Sequence, residues 1–415
     1  MSFASKVHEL AGKMRALFEP TPLQHNLYLS QKYDAEIWLK REDLSPVRSY
    51  KIRGAFNAMS RQLEKNPEQA SFVCASAGNH AQGVAYAAQH FGVKAKIYMP
   101  VTTPGQKIMK TENFGAEHIE IVLIGDYFDE TLAAAKKDAH ESGACFLPPF
   151  DHSDIIMGQA TVADEIFEQL GGAPDLLIAG VGGGGLSSGL KKYFHARQEG
   201  IPDLYLCEPS GGRSLYMALK RGGLVTLDHV DNFVDGAAVA RIGDINFDIL
   251  KDTPLSMVRS IPENRLCATM IEMLNSEGIV LEPAGALTID ALKDLKPVIK
   301  GETVVCVTSG GNFDFERLPD VKERALKSEG LKKYFILRMP QRPGALRDFL
   351  ELLGPEDDIA RFEYLKKSAR NFGSVLIGIE SKAPDAFIDL FNRMDEAGFA
   401  YQDITDNDAL SQFLV

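Results

Sequence analysis

Leu176-Leu177-Ile178-Ala179-Gly180-Val181-Gly182-Gly183-Gly184-Gly185-Leu186-Ser187-Ser188 reads as a short apolar strand, a loop of four glycines and the first turn of a helix. Glycines without Cβ atoms let backbone N–H groups close around an anion, and the positive end of the following helix adds to the attraction. A phosphate is the natural guest. Two further stretches repeat the pattern. Phe72-Val73-Cys74 leads into Ser76-Ala77-Gly78-Asn79-His80, and Val304-Val305-Cys306-Val307 leads into Ser309-Gly310-Gly311-Asn312. In open α/β sheets ligands bind where strands end and helices begin, so three such loops point to one shared site.

Around these loops the chain alternates β-rich runs, such as Ala95-Lys96-Ile97-Tyr98-Met99 and Leu204-Tyr205-Leu206-Cys207, with helical patterns over 82–91 and 161–170. That βαβ rhythm predicts open parallel-type sheets covered by helices, over residues 1–320. The charged stretch from Leu318 to Gly330 predicts a helix or linker, placed at 321–332. From Lys332 onward the rhythm changes. Strands are expected at Tyr334–Leu337, Ile359–Leu365, Val375–Ile379 and Tyr401–Ile404, with helices over Ala345–Leu353 and Ala383–Ala397. This βαββαβ order predicts an α+β ferredoxin-like domain at 333–415.

Composition narrows the classes. The 415 residues suffice for two or three domains, and a net charge of −12 argues against nucleic acid or anionic membrane as partner. Residues 1–6 lack a basic region followed by an apolar core, so no secretory signal is read. Cys74, Cys145, Cys207, Cys267 and Cys306 are scattered without a Cys-x-x-Cys pair, and no metal site is expected. A reducing cytoplasm fits best.

Lys51, in Ser49-Tyr50-Lys51-Ile52-Arg53-Gly54-Ala55, is the candidate nucleophile. Apolar neighbours desolvate an amine and favour its neutral form, which condenses with a carbonyl. Taken alone it is an ordinary surface lysine; the three loops give it a context. Asn79 could hydrogen-bond a ring hydroxyl without adding charge. Ser76, Gly78, Asn79 and His80 could hold a substrate carboxylate, with His80 a packing or capping group rather than the base. Ser309 offers a neutral partner for a pyridine nitrogen. A competing reading remains: Gly180-Val181-Gly182-Gly183-Gly184-Gly185 also fits a dinucleotide fingerprint, with Glu208 as the ribose acid, but it leaves Lys51 and two loops unused.

These residues, with Lys40-Arg41-Glu42-Asp43, Gly158-Gln159-Ala160-Thr161 and Glu282-Pro283-Ala284-Gly285-Ala286, resemble the fold-type II pyridoxal-phosphate enzymes. Within that group they are most similar to the biosynthetic threonine ammonia-lyases (threonine dehydratases). The resemblance runs over residues 19 to about 315. Phe362-Glu363-Tyr364-Leu365-Lys366-Lys367 and Leu376-Ile377-Gly378-Ile379-Glu380 resemble a single ACT-like regulatory domain.

It implies a tryptophan synthase β-like fold whose small subdomain, about 45–150, is inserted in the large one. It further implies pyridoxal 5'-phosphate tied to Lys51, its ring hydroxyl at Asn79, its phosphate on Gly182, Gly183, Gly184, Gly185 and Leu186, and its nitrogen at Ser309. The substrate carboxylate would meet Ser76, Gly78, Asn79 and His80. The implied reaction is β-elimination of L-threonine to 2-oxobutanoate and ammonia, the first step of isoleucine synthesis, in a homotetramer with isoleucine as allosteric effector. Arg342-Pro343-Gly344-Ala345-Leu346 resembles the loop where such small domains bind amino acids. A catabolic serine/threonine dehydratase or a serine racemase is the alternative.

Overall fold

The computed structural model describes residues 1–69, 71–365 and 371–407. They form two compact units, one of residues 1–263 and 273–313, the other of 264–272 and 314 onward. In chain order the strands of the first unit are β1 (Leu23–His25), β2 (Glu36–Arg41), β3 (Ser71–Ala75), β4 (Lys94–Met99), β5 (Ile119–Leu123), β6 (Cys145–Phe146), β7 (Leu176–Gly180), β8 (Asp203–Pro209), β9 (Val258–Ile261) and β10 (Thr303–Thr308). They make two open sheets, ordered β1-β2-β10-β7-β8-β9 and β5-β4-β3-β6. Every pairing is parallel except β1 with β2. The expected parallel-type sheets are therefore present. Leu176–Ala179 and Val304–Thr308 are buried throughout, as central parallel strands covered on both faces must be.

Three helices carry the site toward these sheets: Lys51–Lys65, Ser153–Leu170 and Gly185–Arg197. The second starts eight residues before the expected Thr161, because His152 caps it by accepting from the Asp154 N–H and the apolar pattern runs back through Ile155 and Ile156. Gly158 lets it cross the Lys51 helix closely; a Cβ there would overlap the Arg53 carbonyl oxygen.

The crossing is locked by buried charge. Arg53, wholly buried, donates from Nε and Nη2 to both Glu42 oxygens at 2.8 Å, and from Nη1 and Nη2 to Glu165 at 2.9 and 2.8 Å. Lys40 Nζ reaches Glu165 at 2.6 Å and the Thr21 carbonyl at 2.7 Å, and burial brings its pKa down to about 8. Burial favours a neutral Glu165, but Arg53 and Lys40 outweigh it and hold the carboxyl below the usual range.

The second unit begins its sheet with β11 (Lys332–Pro340), followed by β12 (Asp358–Leu365), β13 (Phe372–Glu380) and β14 (Ala400–Asp403). Their order is β12-β13-β11-β14 and every pairing is antiparallel. Phe335, Leu337, Val375, Ile377 and Ile379 alternate inward and pack on Phe349, Phe387, Leu390 and Met394 from the helices Ala345–Leu350 and Ala386–Glu396. This is the expected ferredoxin-like arrangement. The first helix ends three residues early, where Leu352 and Leu353 turn back onto the core and Gly354 follows. A helix, Leu318–Ser328, takes up most of the charged stretch expected as helix or linker. Lys366 and Lys367 lie outside the described residues. Among the described residues no helix is long and apolar enough to cross a membrane.

Glu165→Ala leaves Lys40 and Arg53 buried with too little negative charge. It is expected to lower unfolding free energy by about 3–5 kcal/mol in urea denaturation; a loss under about 1 kcal/mol would contradict a locking role for the network.

Candidate active site

The three loops leave the carboxyl ends of β3, β7 and β10, and β7 and β10 are neighbours in register, Cys306 beside Ile178. The chain ahead of Lys51 is zipped to the third loop. Ser49 bridges Gly310, the Tyr50 N–H donates to the Ser309 carbonyl at 3.2 Å, and the Gly311 N–H donates to the Arg48 carbonyl at 2.9 Å. Lys51 therefore opens its helix beside Ser309.

Lys51 Nζ donates to the Pro149 carbonyl at 3.0 Å. Burial lowers its pKa to about 8, with Glu282 pulling the other way. Roughly a tenth of the amine is then free base at pH 7, far more than for an ordinary lysine, as the desolvation argument expects. Phe150, next to Pro149, packs on the glycine loop: a Cβ on Gly183 would overlap its ring, and one on Gly185 would sit 3.2 Å from its carbonyl oxygen. The segment 149–150 thus connects the lysine to the glycines.

Gly184 has φ +91°, which a side chain would strain. The Gly183 carbonyl accepts from Gly243 N at 3.1 Å and Asn246 Nδ2 at 2.8 Å, and that of Gly184 from Ser188 N at 2.9 Å. Among the described residues, no backbone or side-chain acceptor takes a hydrogen bond from the N–H of Gly182, Gly183, Gly184, Gly185 or Leu186. Unpartnered N–H groups in a cradle that Cβ atoms would fill suit a phosphate. The residues present fit a phosphorylated aldehyde cofactor.

Asn79 opens its own helix, Asn79–Phe91. Its Oδ1 accepts from Asn312 Nδ2 at 2.8 Å and its Nδ2 donates to Glu282 Oε1 at 2.7 Å. Ser76 Oγ accepts from Gly78 N at 3.2 Å, while the N–H groups of Asn79 and His80 make no hydrogen bond to protein among the described residues. The His80 ring is buried, with Nε2 at 3.0 Å from the Leu147 carbonyl; burial, and Lys51 beside it, bring its pKa down to about 3. It stays a neutral packing group, and what it offers a substrate is its backbone N–H. Ser309 Oγ donates to the Ala284 carbonyl at 3.2 Å.

Glu282 is the residue to which sequence reasoning gave no role. Its signal was present, an acid inside Glu282-Pro283-Ala284-Gly285-Ala286, but before a Pro-led helix it reads as a cap. Glu208, the acid of the dinucleotide reading, is buried and accepts from Leu215 N at 2.7 Å and Tyr216 N at 2.8 Å, so it has no oxygen turned to a ribose.

Comparison with known proteins identifies the family. Residues 14–310 match the family described as "Pyridoxal-phosphate dependent enzyme", and residues 323–414 the "C-terminal regulatory domain of Threonine dehydratase". The chain is 46% identical over 414 residues to "L-threonine dehydratase biosynthetic IlvA" of Staphylococcus epidermidis, covering 99% of this chain and 97% of that one. The chain belongs to the threonine dehydratase family of pyridoxal-phosphate dependent enzymes. The protein of the same name from Halalkalibacterium halodurans is 44% identical, over 95% of each chain. Among solved structures, threonine deaminase isoform 2 of Solanum lycopersicum superposes with TM-score 0.70 at 32% identity, covering 78% of this chain and 93% of that one. A pyridoxal 5'-phosphate-dependent aspartate racemase reaches 0.68 at 25% identity, over 76% and 97%. The fold is the fold-type II one, and the enzyme uses pyridoxal phosphate.

Gly183→Ala pushes a methyl into the Phe150 ring and is expected to weaken pyridoxal phosphate binding by about ten- to a hundredfold, with the fold kept. Titrating apoenzyme with the cofactor checks this; unchanged affinity would mean that the phosphate lies elsewhere.

Proposed function

We propose that this enzyme converts L-threonine to 2-oxobutanoate and ammonia by β-elimination, and that Lys51 both carries the cofactor and removes the substrate Cα proton. The observation that carries the reading is the Lys51 amine, half-buried at the head of a helix zipped to Ser309–Gly311, its pKa lowered to about 8, and linked through 149–150 to a cradle of unpartnered N–H groups. Pyridoxal phosphate, when bound, withdraws electrons from the substrate Cα and so acidifies its C–H bond.

The chain does the rest. Gly182, Gly183, Gly184, Gly185 and Leu186 hold the phosphate through backbone N–H groups, and Asn79 holds the ring hydroxyl through its amide. Ser309 meets the ring nitrogen with a neutral hydroxyl, so this residue places no charge there. The carboxylate of threonine is taken by the loop of Ser76, Gly78, Asn79 and His80, where the Asn79 and His80 N–H groups are available. Lys51, as free base, takes the Cα proton; the β-hydroxyl then leaves with its bonding electrons. The released enamine tautomerises and hydrolyses to the keto acid and ammonia. His80 takes no proton in this scheme.

We further propose that the second unit senses isoleucine. It has a cavity of about 350 Å³ lined by Arg338, Pro340, Arg342, Asp348, Phe372 and Phe399. Arg342 pairs with Asp348 at 2.6 Å, which places both signs of charge beside apolar rings, as an amino-acid zwitterion requires. Of the loop at 342–346, Arg342 lines the cavity. The homotetramer is carried over from the resemblance. A cytoplasmic site fits five cysteines that are all free.

Lys51→Ala removes covalent link and base together and should lower kcat by about three orders of magnitude or more. Near-normal turnover would refute the assignment. A keto-acid assay with threonine and serine side by side, with and without isoleucine, tests the rest. Threonine is expected to be preferred and its turnover to change with isoleucine. Preference for serine, or its racemisation, would favour the catabolic or racemase alternative. An isoleucine that altered neither activity nor melting temperature would end the sensing claim.

A further inference from the structure

Glu282 stands where two parts of the site meet. It is buried, only 6% exposed, and stands at the N-cap position of the helix Pro283–Asp290 without a side-chain capping bond. Its carboxylate rests on Gly310, where any Cβ would overlap Oε1, and accepts from Asn79 Nδ2 at 2.7 Å. The groups that face it are Lys51, Asn79, the Asp235–Lys107 pair (2.7 Å apart) and Tyr50. Burial first, and Asp235 second, raise its pKa to about 7, with Asn79, Lys107 and Lys51 opposing. It is largely an anion at the pH where Lys51 titrates.

Asn312 Nδ2 has three acceptors within reach, the Val47 carbonyl at 2.9 Å, Asn79 Oδ1 at 2.8 Å and Gln82 Oε1 at 2.9 Å, and only two hydrogens to give, so it does not by itself set the Asn79 amide. The Glu282 carboxylate, which as an anion only accepts, turns the Asn79 nitrogen toward itself. An ionised carboxylate accepts one hydrogen and leaves the second Asn79 N–H free. A protonated one could donate instead and would no longer select that orientation. The field of the same carboxylate favours the charged form of Lys51.

We propose that Glu282 is a positioning residue acting through both partners: its carboxylate fixes the Asn79 amide so that one N–H is reserved for the cofactor's ring oxygen, and its charge governs how readily Lys51 gives up its proton. The inference rests on Lys51 being the cofactor-bearing lysine. It explains why an acid stands buried beside a site that otherwise meets its ligands with backbone N–H groups and neutral side chains.

The test uses apoenzyme of the full chain mixed with pyridoxal phosphate, following the rate at which the visible absorption band rises between about pH 6 and 10. In wild type the rate should climb with pH through a midpoint near 8, as Lys51 becomes free base. Glu282→Gln should move that midpoint down by about one pH unit, because the charge that favours the ammonium is gone. Glu282→Asp, which keeps the charge, should stay near wild type. Asn79→Ala, which strips a hydrogen bond from the ionised carboxyl, should move the midpoint the same way by less, and decides the matter should Glu282→Gln not fold. A midpoint unmoved in Glu282→Gln, or moved equally in Glu282→Asp, would overturn the proposal. If borohydride fixes the cofactor to Lys51 in wild type while the variants show no shift, only the role of Glu282 fails. If the cofactor is fixed elsewhere, the reading of Lys51 fails first.

Discussion

Arg53 carries a full positive charge into the interior two residues beyond Lys51, and the structure must answer it. Two carboxylates do so, Glu42 from the end of β2 and Glu165 from the Ser153 helix, with Lys40, Arg15 and Thr21 completing the hydrogen bonds. Such a network contributes little net stability, since desolvation consumes most of the Coulomb gain. What it supplies is geometry. A bidentate arginine tolerates little sliding, so the first turn of the Lys51 helix is held in one place against strand and helix alike.

The site inherits that placement. Zipped to Ser309–Gly311 on one side and fixed by Arg53 on the other, Lys51 reaches toward Pro149, with Glu282 nearby. Burial and one opposing carboxylate leave it half protonated only near pH 8, which suits the proposed role of an amine that first bonds to a carbonyl and then accepts a proton. In the proposed scheme the charged residues near it serve position and proton affinity. Contacts offered to ligands come from backbone N–H groups and neutral side chains.

Much of this was legible in the chain. Strand ends were readable because apolar runs such as Val304–Val307 stop abruptly at small residues, and a stop of that kind after a parallel strand marks a ligand loop. The ferredoxin-like unit was readable from alternation in Phe372–Glu380 and 3.6-residue spacing in Ala386–Glu396. The stretches Lys40–Asp43 and Gly158–Thr161 matched the family but gave no chemistry. Glu42 meets Arg53 only 11 residues on, but Lys40 meets Glu165, and Arg53 meets Thr161 and Glu165, across more than a hundred residues, so the closed network and the close helix crossing appear only after folding. Glu282 was hidden for the same reason. An acid before a proline states a helix cap; its opposition to Lys51 and its hold on Asn79 are products of tertiary structure. His80 shows the converse, a residue type that invites a catalytic role and is disarmed by burial.

The account stands on which amine holds the cofactor. Reducing active holoenzyme with borohydride and mapping its tryptic peptides answers this directly. A modified Lys51 resists cleavage, so the adduct should appear on the peptide running from Ser49 to Arg53, in stoichiometric yield and with loss of activity. Finding the adduct on another lysine, or recovering the fragment Ser49–Lys51, cleaved after an unmodified lysine, from inactivated enzyme, would contradict the account.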